Sequence, residues 1–398
     1  MRRFAALLER LAFTPARNGK LRLLTGYLAD TPDPDRGWAL AALTGALTLD
    51  AVKPAMLRAA ATARVDPELF ALSHDFVGDL AETIALIWPA PDSATGTPPT
   101  DPPLAEVVAT LRATSRREAP RTVERLLDRL DPSARFALLK LVTGGLRVGV
   151  SARLAKQALA DFGQRDVTEI EELWHGLDPP YVPLFAWLTG AGPLPTPAAT
   201  TPFRPVMLSH ALEETDLARL DPADFAAEWK WDGIRVQATA DAHGRRLFSR
   251  TGDDIGRAFP DLLEALDFDA ALDGELLVRR EDGSIATFSD LQQRLNRKTV
   301  TPAQLRRYPA HLRAYDLLQH GPRDLRPLPF TERRAALEAL AKTLDPTRLD
   351  LSPLLPVTTW EDLARLRAAP PDPVIEGVML KRRDSAYVPG RPKGPWWK

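Results

Sequence analysis

The sequence contains no cysteine. Disulfides, thiolate metal sites and cysteine nucleophiles are therefore excluded, and nothing calls for an oxidising compartment. An excess of one charge is missing too, since 52 Lys and Arg against 53 Asp and Glu give a formal net charge of −1. With no global field, any nucleic-acid surface must be a local patch. Long apolar runs are also scarce. The start, Met1-Arg2-Arg3-Phe4, is interrupted by Glu9 and Arg10 before a signal-like core can form. The longest uncharged run, Pro179 to Phe203, carries Pro180, Pro183, Pro193, Pro195, Pro197 and Pro202, a linker composition and not a membrane span. No membrane partner is expected. A cytoplasmic location is the default, nucleoid-associated if the source is bacterial. No short-period repeat stands out.

What is present is a globular composition, 44% hydrophobic and 26% charged over 398 residues, with two domains as the natural division. Up to about Gly190 the pattern is helical. Phe4, Leu7, Leu8 and Leu11 recur on one helix face, and Trp38–Leu49, Leu69–Ile87, Leu104–Ala113 and Thr122–Leu130 read similarly. A Pro-rich stretch, Pro89 to Pro103, reads as a loop. Leu139 to Ser151 differs from its surroundings. Its glycines, Gly144, Gly145 and Gly149, expose backbone N–H groups, and Arg147, Arg153 and Lys156 add positive charge. Such a surface can grip phosphates without reading bases, although a plain loop between packed helices has the same composition.

After residue 203 the texture becomes that of an α+β domain with an antiparallel bias. Strands are predicted over Trp229–Ala240, Arg246–Arg250, Ala271–Val278, His311–Leu318 and Val374–Lys381. Helices are predicted over Asp254–Leu266, Phe288–Leu295, Thr331–Leu344 and Glu361–Arg367. The assignment is a helical domain over 1–195, a linker over 196–204 and an α+β domain over 205–398.

The densest chemistry lies in Glu228-Trp229-Lys230-Trp231-Asp232-Gly233-Ile234-Arg235. On a strand, Glu228, Lys230 and Asp232 share a face, which is costly unless that face lines a cleft. A lysine attacks phosphorus only as a neutral amine, so burial or cationic neighbours must lower its pKa. Gly233 permits a sharp turn or a close approach of backbone to a ligand. Taken alone, this stretch also fits a surface strand with an ordinary salt-bridged lysine. Further along come Ser249-Arg250, Asp273-Gly274-Glu275, Tyr315-Asp316, Glu376-Gly377, Lys381 and Trp396-Trp397-Lys398. Together they offer a nucleophile, cations for phosphates, carboxylates for Mg²⁺ and an aromatic face for a base.

This ordered set resembles the covalent nucleotidyltransferases, and specifically the ATP-dependent DNA ligases. Gly144-Gly145-Leu146-Arg147-Val148-Gly149-Val150 looks like the segment typical of the helical DNA-binding domain of bacterial and archaeal members. The resemblance implies an all-α DNA-binding domain followed by an adenylation domain with antiparallel sheets, acting as a monomer. It implies ATP as nucleotide, Mg²⁺ (or Mn²⁺) as metal and nicked double-stranded DNA as partner. By the same likeness, Lys230 would form the lysyl-AMP phosphoramide. Glu228 and Arg235 would contact the nucleoside, Arg250 the ribose or phosphates, and Glu275 the ribose or metal. Tyr315 would stack on adenine and Glu376 would bind Mg²⁺. Lys381 and Lys398 would hold the α-phosphate and neutralise the transition state, and Arg147, Arg153 and Lys156 would face DNA. A covalent adenylyl acceptor needs no Gly-x-x-x-x-Gly-Lys-Ser/Thr loop, and the chain has none.

Three departures stand out. Tyr315 occupies a position where phenylalanine is usual. Pro392 lies where an arginine is common, between Arg391 and Lys393. The family continues into an OB-fold beyond the last lysine, whereas this sequence ends at Lys398. The expectation is of a truncated or naturally incomplete ligase, with weak self-adenylation and severely impaired sealing. Within the same chemistry stand an RNA ligase or capping guanylyltransferase; from another class, a non-catalytic DNA-binding module.

Overall fold

The computed structural model describes residues 1–49, 51–89, 100–144, 146–195, 203–295, 297 and 299–398. They form two compact units, Met1–Ile170 with Leu177–Thr196, and Glu171–Gly176 with Pro197–Lys398. Most of the expected Pro-rich loop (90–99), most of the expected linker (196–202) and Gly145 lie outside the described residues.

Among the described residues of the first unit, every regular element is an α-helix. The opening helix, Arg2–Ala12, buries Phe4, Leu7, Leu8 and Leu11, the stripe its periodicity predicts. Where one helix was expected over Leu69–Ile87, two form, Pro67–Val77 and Leu80–Ile87. Gly78 takes a left-handed φ of 74° and closes the first, and the Asp79 carboxylate accepts from Glu82 N–H to open the second. The helix expected over Trp38–Leu49 runs instead from Asp35 to Leu43, ahead of a left-handed Gly45. Helix Pro132–Thr143 escaped the periodicity reading because it is buried around most of its girth, Arg135 included. The run from Pro179 is only partly linker, since Val182–Leu188 is a helix burying Leu184, Phe185, Trp187 and Leu188.

The second unit is built on two sheets. The strands are β1 (Phe225–Trp231), β2 (Ile234–Asp241), β3 (Gly244–Ser249), β4 (Ala270–Val278), β5 (Ala310–His320), β6 (Arg323–Asp324), β7 (Leu349–Leu351), β8 (Leu354–Leu355), β9 (Ile375–Arg382) and β10 (Trp396–Trp397). One sheet has the order β10-β9-β1-β8 and the other β3-β2-β4-β5-β6. Every pairing is antiparallel except that of β7 beside β5. In β1, Phe225, Ala227 and Trp229 pack into an apolar cluster with Leu363, Ile375, Val378 and Leu380, so the alternate residues Glu228 and Lys230 face the other way. Leu272, Leu276, Leu312 and Leu317 anchor the larger core with Phe259, Leu262 and Leu337. The helix expected over Asp254–Leu266 is reduced to a 3-10 turn, Gly256–Ala258, and a short helix, Pro260–Ala265. Pro260 forbids helical geometry at Phe259, which sits at φ −135° and ψ 51°.

Helix Phe330–Ala341 ties itself to β5 through charge. Asp316 and Arg333 are both fully buried, and Nε and Nη2 of Arg333 donate to the two carboxylate oxygens at 2.8 and 2.9 Å. Nη1 donates to the carbonyls of Leu328 and Ser385 at 2.6 and 2.9 Å. Breaking such a pair strands a charge in low dielectric. Arg333→Met is therefore expected to cost about 3–5 kcal/mol in urea unfolding, with part of the loss recovered by adding Asp316→Leu. A loss below about 1 kcal/mol, the range of an exposed pair, would contradict this account.

Candidate active site

A cavity of about 430 Å³ is lined by residues of β1, β2, β3, β4, β5, β9 and β10. Its lining holds Glu228, Lys230, Arg235, Arg250, Glu275, Tyr315, Glu376, Lys381, Arg391 and Lys398, and so gathers every residue that the resemblance implied for nucleotide and metal. Of the two cations flanking Pro392, Arg391 lines the cavity and Lys393 does not.

Lys230 sits at the end of β1 beside the Glu376 carboxylate, with its side chain 33% exposed. The β1–β9 register shifts between Lys230 and Trp231, and β1 ends there. Asp232 lies past the strand, its N–H bonded to Val374 O at 2.8 Å, so the three-residue face expected over 228, 230 and 232 holds only for the first two. The turn to β2 relies on Gly233. A Cβ there would lie 2.6 Å from Leu276 O and 2.8 Å from Glu275 Cγ. The close approach that the glycine permits is thus to β4, and it brings Glu275 towards the lysine. Burial lowers the pKa of Lys230 and Lys398 pulls the same way, while Glu275 and Asp232 oppose them. The Glu275 carboxyl is pushed up to about 8 by burial, against the pull of Arg235 and Lys230.

Under the cavity the charges are paired. Glu228, 1% exposed, receives Lys381 Nζ at 2.7 Å and Arg334 Nη1 at 3.2 Å. Burial pushes its carboxyl up, and the two cations pull it back towards the ionised form. Lys381 also donates to Tyr315 O at 3.2 Å and lies 4.4, 4.8 and 5.1 Å from the ring centres of Tyr315, Trp396 and Phe330. Two of its three N–H donors are therefore taken. Arg235 grips Asp273 at 3.1 and 2.6 Å and donates to Met207 O at 2.6 Å and the Tyr387 hydroxyl at 3.1 Å. A buried guanidinium must be satisfied in this way, so Arg235 serves mainly as wall, with little donor capacity left for the nucleoside contact expected of it. The Tyr387 hydroxyl completes the group by donating to Asp273 at 2.7 Å. Burial raises the Tyr315 hydroxyl well above its ordinary pKa, so this ring stays neutral.

Arg147 and Arg153 are exposed in the first unit. Lys156 is 4% exposed within helix Ala152–Gly163, which removes it from a phosphate-facing surface, contrary to expectation. Gly144 and Gly149 both take left-handed φ, and Lys20 donates to Val148 O at 2.6 Å between them. Arg334 and Ser209 carry no signal in the sequence, and Trp396 enters there only as a neighbour of Lys398. An arginine on a helix reads as solvated, and only the pairing of β10 with β9, Trp396 opposite Lys381, brings the indole to the cavity. Among the described residues no group of three or more His, Cys, Asp and Glu side chains is placed to hold a metal, and no helix is long and apolar enough to cross a membrane.

Residues 206–398 match the family model described as ATP dependent DNA ligase domain. The DNA ligase of Natronomonas pharaonis is 32% identical over 279 residues, covering 69% of this chain and 50% of the relative. DNA ligase 1 of Korarchaeum cryptofilum is 27% identical over 438 residues, covering 100% of this chain and 74% of the relative. The solved structure Pmar-Lig_PreS3 superposes with a TM-score of 0.54 at 16% identity over 99% of this chain and 77% of that one, a likeness of fold alone. The chain spans about half the length of several curated relatives that it matches, 50% and 54% for the ligases of Natronomonas pharaonis and Methanosphaerula palustris. With the motif residues of residues 206–398 gathered around one cavity and that whole stretch matched, this part of the chain belongs to the ATP-dependent DNA ligase domain family.

Proposed function

We propose that the chain is the nucleotide-activating part of an ATP-dependent DNA ligase, with Lys230 as the covalent acceptor of AMP. The observation that carries this reading is a single lysine, lowered in pKa by burial, at the mouth of a cavity lined by Arg250, Arg391, Lys381 and Lys398. Nζ of Lys230 attacks the α-phosphorus of ATP, a P–N bond forms, and pyrophosphate leaves. An oxygen of the 5′-phosphate at a nick then attacks the same phosphorus and frees the lysine. The 3′-hydroxyl finally attacks the activated 5′-phosphate, forming the phosphodiester and expelling AMP. Positioning and charge neutralisation dominate such transfers. Arg250 and Lys398, both exposed at the cavity, supply mobile positive charge for phosphate oxygens. The Tyr315 ring offers a stacking face for adenine.

A divalent metal fits the carboxylates present. Mg²⁺ in nucleotide sites is usually held by one or two carboxylates together with substrate phosphates and water, so no larger cluster is required. Glu275 and Glu376 would hold it, and a nearby cation would ease the burial that raises Glu275. Bound there, the metal would supply charge neutralisation at the phosphates.

The first unit is proposed to grip the duplex through Arg147, Arg153 and the N–H groups around Gly144 and Gly149. Such contacts carry no base specificity.

Three outcomes follow. Lys230→Ala abolishes covalent incorporation of label from α-labelled ATP; a labelled band persisting in that variant sinks the assignment. Arg147→Ala weakens binding to a nicked duplex and lowers the slope of log affinity against log salt by about 1, and an unchanged slope removes Arg147 from the interface. Glu275 titrates higher folded than its ordinary 4.5, so its neutral form is favoured in the fold and stability is lost as pH rises from near 4.5 to about 8. Glu275→Gln should accordingly raise the melting temperature at pH 8.5 relative to wild type, with the gain vanishing near pH 4.5. An equal gain at both values would refute the burial argument.

A further inference from the structure

We infer that Arg334 is a positioning residue that holds the Glu228 carboxylate as a hydrogen-bond acceptor facing the base, and so sets the preference for adenine over guanine. The inference rests on the reading of this cavity as an ATP site and goes beyond it, because Arg334 lies outside every motif of the family resemblance.

Glu228 lines the cavity from β1 although it is almost wholly buried. An ionised carboxylate offers about four acceptor positions. One is taken by Lys381 Nζ at 2.7 Å and one by Arg334 Nη1 at 3.2 Å, which leaves acceptor capacity for a donor in the cavity. A carboxyl in such surroundings tends to take up a proton, and once protonated it becomes a donor as well. A second cation resists that change. Adenine carries an exocyclic amine donor where guanine carries a carbonyl acceptor. A carboxylate fixed as acceptor-only attracts the first and repels the second.

Lys381, although buried, meets only one Glu228 oxygen as a point charge, so the rotation of the carboxylate about that contact is left to a second donor on the other oxygen. Arg334 is planar and itself anchored. Its Nη1 also donates to Ser352 O at 2.8 Å, and its Nε donates to Glu338 at 2.7 Å. Helix Phe330–Ala341 presents it, with the neighbouring Arg333 locked onto Asp316. Two consecutive arginines thus neutralise two buried carboxylates under one cavity.

The test is the initial rate of covalent nucleotide incorporation over a range of ATP and GTP concentrations, in wild type, Arg334→Met and Arg334→Lys. Loss of a charge-assisted hydrogen bond predicts that Arg334→Met raises KM for ATP by about tenfold or more, with little change in the saturated rate. The ratio of ATP to GTP use falls by a similar factor, and Arg334→Lys restores part of both. An unchanged KM and ratio in folded Arg334→Met, or a fall confined to the saturated rate, overturns the inference. Should Arg334→Met not fold, Glu338→Gln loosens the anchor from a side chain that is 47% exposed, and a rise of a few-fold in KM is expected. No rise there overturns it equally. A wild-type chain that incorporates neither nucleotide fails the ATP-site reading itself, an outcome distinct from failure of Arg334.

Discussion

Three buried carboxylates, Glu228, Asp273 and Asp316, lie beneath the cavity, and each must meet a cation before the sheets can close. Leaving any of them unpaired in the protein interior would cost several kcal/mol, comparable with a large share of a domain's net stability. Arg235 answers Asp273, Arg333 answers Asp316, and Lys381 with Arg334 answers Glu228. The partners come from three places: β2 supplies Arg235, β9 supplies Lys381, and helix Phe330–Ala341 supplies Arg333 and Arg334. In the folded unit these pairs lie on the same strands and helix that build its apolar cores.

The same constraint separates working groups from supporting ones. Arg235 and Lys381 are immobilised by their partners and line the cavity, while Arg333 is locked onto Asp316 away from its lining. Arg250, Arg391 and Lys398 stay exposed at the cavity, as the proposed phosphate contacts require. Lys230 lies between these classes, half-buried beside Glu376. Its position follows from a turn that only glycine fits, since any side chain at 233 would strike the Leu276 carbonyl on β4. One short turn thereby passes the chain from the smaller sheet to the larger and leaves Lys230 at the cavity.

Much of this site was legible in residue order. Lys230, Glu275, Tyr315 and Glu376 sit in short motifs whose order along the chain resembles that of the ATP-dependent DNA ligases, and that resemblance rather than any one motif singles them out. Arg334 could not be named, because its partner is 106 residues away and a helix arginine carries no signal of burial. Lys156 was misread for the converse reason, a basic residue near a glycine-rich loop that turns inward on its helix. Among helices, amphipathic Arg2–Ala12 was plain, whereas Pro132–Thr143, buried on nearly all sides, left no periodic stripe to detect. The break at Gly78-Asp79 is a capping pair whose meaning depends on backbone sign, which hydrophobic spacing does not report.

The central claim is that one lysine becomes covalently nucleotidylated. The most direct measurement is the intact mass of the purified chain with and without ATP and Mg²⁺, followed by peptide mapping. The account predicts a gain of one AMP, located on the peptide that contains Lys230. No gain in mass, or an adduct on a different lysine, would contradict it.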